Sequence, residues 1–380
     1  MLPPSALPAR RLRKTLLPLI SEAVRESRAD RYRKHFPAQA HVWMLLMHTM
    51  STNQSLRQSH ALQGADPKLR RFLGMEEEWI SYSQLARSST SRPAECFEVL
   101  LYSVLHLATQ RHGRSSASDV LQGVRLLDST FFPLAPKRSP WGVWNKRGNS
   151  GARLQTLLDP SERLPTGLGL ELLDTNDANA LGSLDLSGLR AKTLVFDLGY
   201  YSHAHFERLM EGGVHFLTRL NAQASYRVIA SSRTLAEGQA TTSSSSSKGD
   251  VVLSDQTIDL GSPNNRRGAI LEGIRLIRSI NEKGKVYAFI TDRHDLTAQE
   301  VLYLYRKRWQ IELFFRWLKR QLGAIRPFGH SREAVWLSIV VATIVAVLMA
   351  LCEQWRPKGV SRVSWMRALC TSFSMLRLSG

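Results

Sequence analysis

The chain has 380 residues, of which 43% are hydrophobic, so it is long enough for about two or three domains and is not a disordered chain. Lysine and arginine number 51 and aspartate and glutamate 32, which gives a formal net charge of +19. This charge favours nucleic acid as a partner, because basic side chains that neutralise phosphates release counterions. A basic protein without such a partner, or one attracted to anionic lipid, is the alternative.

The three cysteines, Cys96, Cys352 and Cys370, are far apart and form no CxxC pair. Their spacing argues against a disulfide framework or a structural zinc site and favours a reducing cytoplasm. Residues 1–34 are basic and predicted to be helical, and the first 14 residues lack the apolar core of about 7–15 residues that a signal peptide needs.

The segment 35–120 is predicted to be helical. Ser81 or Ser83 is suited to cap a short helix, and Pro93 is suited to the first turn of the next one. Two short helices joined by a turn are typical of a helix-turn-helix that binds DNA. A packed helical bundle fits the same pattern equally well.

From about residue 124 the pattern changes to α/β. Asp128 and Asp197 each follow a short apolar run, and Ser202 is placed to cap a helix that extends to Met210. The predicted strands of this region are Val124–Leu127, Ala152–Leu158, Leu168–Leu173, Thr193–Phe196 and Val214–Leu220.

Residues 222–290 are predicted to be an all-β insertion, with a mobile hairpin tip at the serine run Ser243–Ser247. Its predicted strands are Tyr226–Ala230, Val251–Leu253, Thr257–Leu260, Ala269–Ile280 and Val286–Ile290.

A capping box, Thr297-Ala-Gln-Glu300, predicts the start of a helix that runs to about Leu322 and stops at Gly323. The apolar run Ala334–Cys352 follows. It is long enough to span a bilayer, but a helix buried on all sides of a large domain has the same composition, and we favour the buried helix.

Four polar residues of this predicted helix, Tyr305, Arg308, Glu312 and Lys319, lie within a stripe about 60° wide at 100° per residue, and Arg316 lies close beside it. The alternative is a solvated face on which Glu312 pairs with an arginine four residues away. The apolar character of the other faces favours a buried helix whose basic residues hold an anionic ligand beside a carboxylate.

Asp128 and Asp197 are predicted at the carboxyl ends of strands, where sites in open α/β sheets collect. Two Mg²⁺ ions, held by several carboxylate oxygens, can position the attacking and leaving oxygens of a phosphodiester. An aspartate that ends a strand is common, so this hypothesis depends on Asp128, Asp197 and Glu312 together.

The spacing Tyr305-x2-Arg308-x3-Glu312-x6-Lys319 resembles the Y-R-E-K signature of DDE transposases of the insertion-sequence-four type. The segments 126–130 and 195–200, the latter followed by 213–219, are similar to the family's first-aspartate and second-aspartate blocks. Residues 304–319 are similar to the third-acid block almost throughout, and residues 80–93 resemble the helical N-terminal region.

The resemblance implies an α/β fold with a ribonuclease-H-like catalytic core that a β insertion interrupts. It implies that Asp128, Asp197 and Glu312 are catalytic and bind two Mg²⁺ ions, which Mn²⁺ can replace. Tyr305, Arg308, Arg316 and Lys319 would contact DNA. The predicted segments are a helical N-terminal domain that binds DNA ends (1–120), the first part of the core (121–221), the insertion (222–292), core helices (293–352) and a helical C-terminal tail (353–380).

The expected function is that of a transposase of a bacterial insertion sequence, which cuts the element's ends and joins them to target DNA. Its expected partners are the terminal inverted repeats, target DNA and a second copy of the chain, in the cytoplasm at the nucleoid and without a membrane. An inactive derivative that still binds the ends is the alternative, and a membrane protein anchored by 334–352 is a third hypothesis.

Overall fold

The computed structural model describes residues 6–31, 35–50, 55–112, 119–144, 148–171, 181–234, 250–262, 270–324, 327–353, 355–361, 364–365 and 368–369. These residues form two compact units. Unit 1 contains the N-terminal part of the chain to Arg114, the segment Leu134–Gly142 and the residues from Phe315 onward. Unit 2 contains Ser115–Pro133 and Val143–Phe314.

Unit 1 is helical. Its elements are α1 (Ala6–Glu26), α2 (Ala38–Met50), α3 (Leu56–Gly64), α4 (Pro67–Phe72), α5 (Tyr82–Ser91), α6 (Glu95–His112) and α10 (Arg332–Glu353). The helix starts follow local capping: Ser81 caps α5 by accepting a hydrogen bond from the Gln84 N–H at 3.1 Å, as predicted.

Helix α10 contains the long apolar run. It is the one described helix that is long and apolar enough to cross a membrane, and 83% of its most apolar window is buried inside the protein. It packs against α2, α5 and α6 of the same unit. An apolar helix that is covered on all sides is the core of a helical unit, so these contacts support the predicted buried helix.

The helices α5 and α6 are joined by a three-residue link that contains the buried Arg92. The Arg92 guanidinium donates a hydrogen bond of 2.6 Å to the Phe36 carbonyl oxygen. Both helices also pack against α10, so the pair belongs to the bundle of unit 1. The helix-turn-helix interpretation of this pair stays a prediction.

Unit 2 is built on one ten-stranded mixed sheet, with the order β2-β3-β1-β5-β6-β10-β9-β8-β7 and β4 paired to β3. The strands are β1 (Val124–Pro133), β2 (Val143–Trp144), β3 (Ser150–Asp159), β4 (Leu164–Glu171), β5 (Thr193–Val195), β6 (His215–Arg219), β7 (Tyr226–Thr234), β8 (Val251–Leu260), β9 (Leu271–Ile280) and β10 (Val286–Thr291). Its helices are α7 (His203–Glu211), α8 (Ala298–Lys307) and the first residues of α9 (Trp309–Ala324), which ends in unit 1.

The strands β1, β5 and β6 run parallel to one another, whereas every other pairing in the sheet is antiparallel. A buried core fills one face of the sheet, where Phe206 of α7 stacks on Phe216 of β6 with ring centroids 4.6 Å apart. The predicted α/β class is therefore observed, and alternating burial along strands such as β3 explains why the sequence pattern revealed them.

Three local expectations were wrong. The strand β1 does not end at Asp128 but continues to Pro133, because its pairing with β3 continues to Pro133 opposite Gly151. The segments Val251–Leu253 and Thr257–Leu260 form the single strand β8, whose polar middle pairs with β9. The helix that begins at Thr297 is interrupted at Arg308 and does not stop at Gly323.

The strands of the predicted insertion continue the main sheet, because β10 pairs with β6 through Phe289 and Arg219. Unit 2 includes residues from four of the five predicted segments, and the five-segment division along the chain stays a prediction. The serine run, Leu172–Leu173 and most of the predicted C-terminal tail lie outside the described residues.

Gly151 in β3 provides a test of this sheet. A Cβ at this position would overlap the Phe132 carbonyl oxygen and the Phe131 ring, and a backbone oxygen in a paired strand cannot move away. We expect Gly151→Ala to lower the free energy of unfolding by about 2 kcal/mol, measured by urea denaturation. The matched variant Gly169→Ala in β4, where a Cβ meets nothing within 4 Å, should change it by less than about 0.5 kcal/mol. Equal effects of the two variants would contradict the described packing.

Candidate functional site

Two of the predicted acidic residues lie where the parallel strands β1 and β5 separate. The last parallel pair of residues is Leu126 of β1 with Val195 of β5. Asp128 lies two residues after Leu126, and Asp197 lies two residues after Val195. Asp128 is opposite Thr156 on β3, and Asp197 lies two residues beyond the end of β5. Both carboxylates are therefore at the carboxyl end of the parallel pair, as expected for sites in such sheets.

The backbone holds Asp197 in a local turn. Its Oδ1 atom accepts a hydrogen bond of 2.8 Å from the Gly199 N–H, which starts a short 3₁₀ helix at Leu198–Tyr200. This contact uses one lone pair of one carboxylate oxygen and leaves the rest of the carboxylate's acceptor capacity for other ligands.

The third acid lies just after a tight junction between two helices. The capping box starts α8 as predicted, with the Thr297 side chain accepting from the Glu300 N–H. At the end of α8 the Arg308 N–H bonds to the Tyr305 carbonyl at 3.0 Å, and the Ile311 N–H bonds to the Arg308 carbonyl at 3.2 Å. These i to i−3 bonds tighten the chain at Arg308 and explain why the predicted single helix is divided.

The Arg308 side chain connects the first and third acids. Its guanidinium lies 3.5 Å from Asp128 Oδ2 and donates a short hydrogen bond to Glu312 Oε1. The side chains of Arg308 and Asp128 are each 16% exposed. Burial acts to lower the pKa of Arg308, but its interactions with Tyr305, Glu312 and Asp128 raise it overall, so the guanidinium stays charged.

Tyr305 connects this ion-paired group to Asp197. Its ring packs on Phe289 of β10 at a centroid distance of 4.8 Å, and the Arg308 guanidinium is 6.0 Å from the ring centre. Burial raises the pKa of Tyr305; the charge of Asp197 also raises it, while the charges of Arg219 and Arg308 act to lower it. The hydroxyl therefore remains protonated at neutral pH and can act as a hydrogen-bond donor.

The structure thus brings together Asp128, Arg308 and Glu312 by direct contact, and Tyr305 and Asp197 by electrostatic interaction. The other two predicted DNA contacts, Arg316 and Lys319, are exposed on the part of α9 that belongs to unit 1. Their role in DNA binding stays a prediction.

The chemistry of the acids suits a divalent metal ion, because carboxylate oxygens are the ligands that Mg²⁺ prefers. Asp128 and Glu312 converge on one cation, the Arg308 guanidinium, so the fold already holds a positive charge between them. Within the described ranges no three His, Cys, Asp or Glu side chains are gathered as a metal cluster. The three carboxylates are therefore of the chemical type that binds a divalent metal ion. Two of them, Asp128 and Glu312, also lie close together, because both contact Arg308.

Sequence reasoning missed two residues of this site, Arg219 and Phe289. They form a pair in the β6–β10 register, and both interact with Tyr305. A basic residue at the carboxyl end of β6, beside the strand that precedes Asp197, was a signal for Arg219. Phe289 had no such signal, because only the pairing of β6 with β10 places it there.

A family model and two similar sequences point to the same kind of protein. The family model described as "Transposase DDE domain" matches residues 121–348. The protein y4zB of Sinorhizobium fredii (strain NBRC 101917 / NGR234), named as a transposase, is 29% identical over 71% of this chain and 71% of its own length. A protein of Geobacillus stearothermophilus, named as a transposase for insertion sequence element IS5377, is 24% identical over 70% of this chain and 66% of its own. A cryo-EM structure of the piggyBac transposase synaptic complex with hairpin DNA has a TM-score of 0.47 and 11% identity, over 95% of this chain and 79% of that chain.

Proposed function

We propose a mechanism for this chain from one premise: it belongs to the transposase DDE domain family, and it is a DNA transposase. The proposal is that it is an insertion-sequence-four type enzyme with a ribonuclease-H-like core, which hydrolyses one strand at each element end and joins the freed 3′ end to target DNA. The observation that carries it is the contact of Arg308 with both Asp128 and Glu312, because it unites two of the three predicted acids at one point.

Asp128, Asp197 and Glu312 would hold two Mg²⁺ ions, or Mn²⁺ in their place. When bound, such ions lower the pKa of a coordinated water and stabilise the charge that develops on the phosphate. The three acids come from β1, from the turn after β5 and from α9, so the sheet and the helix junction set their relative positions before DNA binds. Preorganised charge of this kind needs no rearrangement during the reaction.

The basic and aromatic residues of the site would hold the DNA. The Arg308 guanidinium has five N–H donors, and its contacts with the two carboxylates leave others for a phosphate oxygen. The protonated Tyr305 hydroxyl would donate to the same backbone, with Arg316 and Lys319 as further contacts. Such contacts position DNA without reading its sequence, so recognition of the terminal repeats is assigned to the N-terminal helices.

Two element ends must meet in one complex before they can be joined to one target. We therefore propose a homodimer on DNA, acting at the nucleoid in the cytoplasm. Light scattering of the protein with a saturating amount of end DNA should give the mass of two chains with two ends. A mass of one chain with one end would contradict the dimer.

The test of the proposed function is cleavage of DNA that carries the sequences flanking the gene. We expect the full-length chain to nick this DNA at the element ends with Mg²⁺ or Mn²⁺ and to lose all cleavage in EDTA, while binding to the ends persists. A matched DNA with scrambled ends should stay intact. Cleavage that persists in EDTA would contradict the metal-dependent mechanism, and normal end binding without cleavage in either metal would favour an inactive end-binding derivative.

A further inference from the structure

The hairpin between β9 and β10 ends in a turn that one side chain holds rigid. Asn281 Oδ1 accepts hydrogen bonds from the backbone N–H groups of Lys283 at 3.0 Å and Lys285 at 2.9 Å. The Asn281 N–H donates to the Lys285 carbonyl at 3.0 Å, and Gly284 has a φ of +75° that suits it to this turn. The geometry of the tip therefore does not depend on either lysine side chain.

Both lysines of the turn, Lys283 and Lys285, are exposed. Neither forms an ion pair with any carboxylate that the structure describes, although the exposed Glu282 directly precedes Lys283 in the sequence. The Lys285 ammonium lies 5.3 Å from the centre of the Tyr287 ring, which limits the positions it samples. The tip thus presents two cations on a rigid support.

An aromatic row joins this tip to the candidate site. Tyr287 and Phe289 lie on the same face of β10, with ring centroids 6.3 Å apart, and Phe289 contacts Tyr305 at 4.8 Å. At about 3.3 Å per residue, the four residues from Phe289 to Lys285 extend for about 13 Å. The tip is therefore close to the site, and one continuous face of unit 2 connects them.

We propose that the hairpin tip, residues 281–285, binds the phosphate backbone of the DNA held at the candidate site. This inference depends on the proposed function, because it takes DNA as the ligand of that site. One strand of B-form DNA carries a phosphate about every 3.4 Å of its axis, so about 13 Å corresponds to four nucleotides. The contacts from Phe289 through Tyr305 and Arg308 to Asp128 add about the same distance again, so the contacted phosphates lie within about eight nucleotides of the one that is cleaved.

The first test is the salt dependence of DNA binding by Lys283→Ala and Lys285→Ala. Each variant should reduce the slope of log affinity against log salt by about 0.9 and weaken binding to element ends and unrelated DNA alike. Glu282→Gln should strengthen binding, because it removes the only acid of the turn. The matched control is Arg190→Ala, an exposed cation that precedes the amino end of β5, whereas Asp197 follows its carboxyl end. Its slope should equal that of the parent protein.

The second test locates the contact. End DNA with single uncharged methylphosphonate linkages should bind the parent protein less well when the linkage lies within about eight nucleotides of the cleaved phosphate. The double variant Lys283→Ala/Lys285→Ala should lose this sensitivity at one or two of those positions. Salt slopes like that of Arg190→Ala, or an unchanged interference pattern, would overturn the proposal for the hairpin while leaving the proposed function intact. If the parent protein binds no DNA, the proposed function itself fails.

Discussion

The Asp197→Asn variant will cleave element ends about a thousandfold more slowly than the parent protein, with unchanged folding and DNA binding. Asparagine keeps the side-chain oxygen that accepts the 2.8 Å hydrogen bond from the Gly199 N–H, so the local turn survives. It removes the negative charge that would hold a divalent ion. Loss of about 4 kcal/mol of transition-state stabilisation corresponds to a thousandfold decrease in rate. The measurement is single-turnover cleavage at saturating protein with Mg²⁺.

The chain offers a matched control for this substitution. Asp185 also accepts a hydrogen bond from the backbone N–H two residues ahead, that of Ser187 at 3.0 Å, and it lies in the same unit. Asp185→Asn should cleave at the parent rate. Parent-like cleavage by Asp197→Asn would reject Asp197 as a metal ligand, and a lowered melting temperature would show that the residue acts through folding.

The Arg308→Met variant should lose about 2–4 kcal/mol of unfolding free energy when divalent ions are absent. The substitution preserves much of the side chain's volume but leaves Asp128 and Glu312 as poorly exposed carboxylates without the cation that contacts both. Removal of one partner from such a pair is strongly destabilising, because the remaining charges stay desolvated. Urea denaturation in EDTA measures the effect, and adding Glu312→Gln should recover part of the loss.

Two comparisons sharpen this second prediction. Mg²⁺ should restore more stability to Arg308→Met than it adds to the parent protein, because a cation that binds the folded state stabilises it. Arg227→Met is the control: this arginine side chain is 78% exposed and pairs with Asp259 at 2.8 Å, so its loss should change the free energy of unfolding by less than about 1 kcal/mol. An Arg308→Met variant as stable as this control would show that the three-residue contact contributes little.

Local patterns predicted most elements of the fold. The capping box at Thr297 was correct because both of its hydrogen bonds are made within three residues. Strands such as β3 were found because one face is buried and the other is not. By contrast, the pairing of β10 with β6 joins positions about 70 residues apart, and no local signal specifies it.

The acids of the site were predicted from their positions and from the spaced signature, and the structure unites two of them directly. The interruption at Arg308 was not predicted, because the sequence there favours a continuous helix and contains no proline or glycine. Arg308 contacts Asp128, which is 180 residues away in the sequence. This contact is made by the residue at which the helix is interrupted. The neighbours Arg219 and Phe289 depend on strand register, which periodicity alone does not determine.

Unit 1 is assembled from distant parts of the chain, and this has a consequence for synthesis on the ribosome. The helices α2, α5 and α6 are complete by residue 112, but α10, which covers their apolar surfaces, begins only at Arg332. Until then, those surfaces have no partner from α10, whereas nearly all of unit 2 has already emerged and can fold. A product that terminates before residue 332 would therefore contain the sheet but no folded helical unit. We expect such fragments to aggregate or to be degraded, so that only chains synthesised past α10 accumulate.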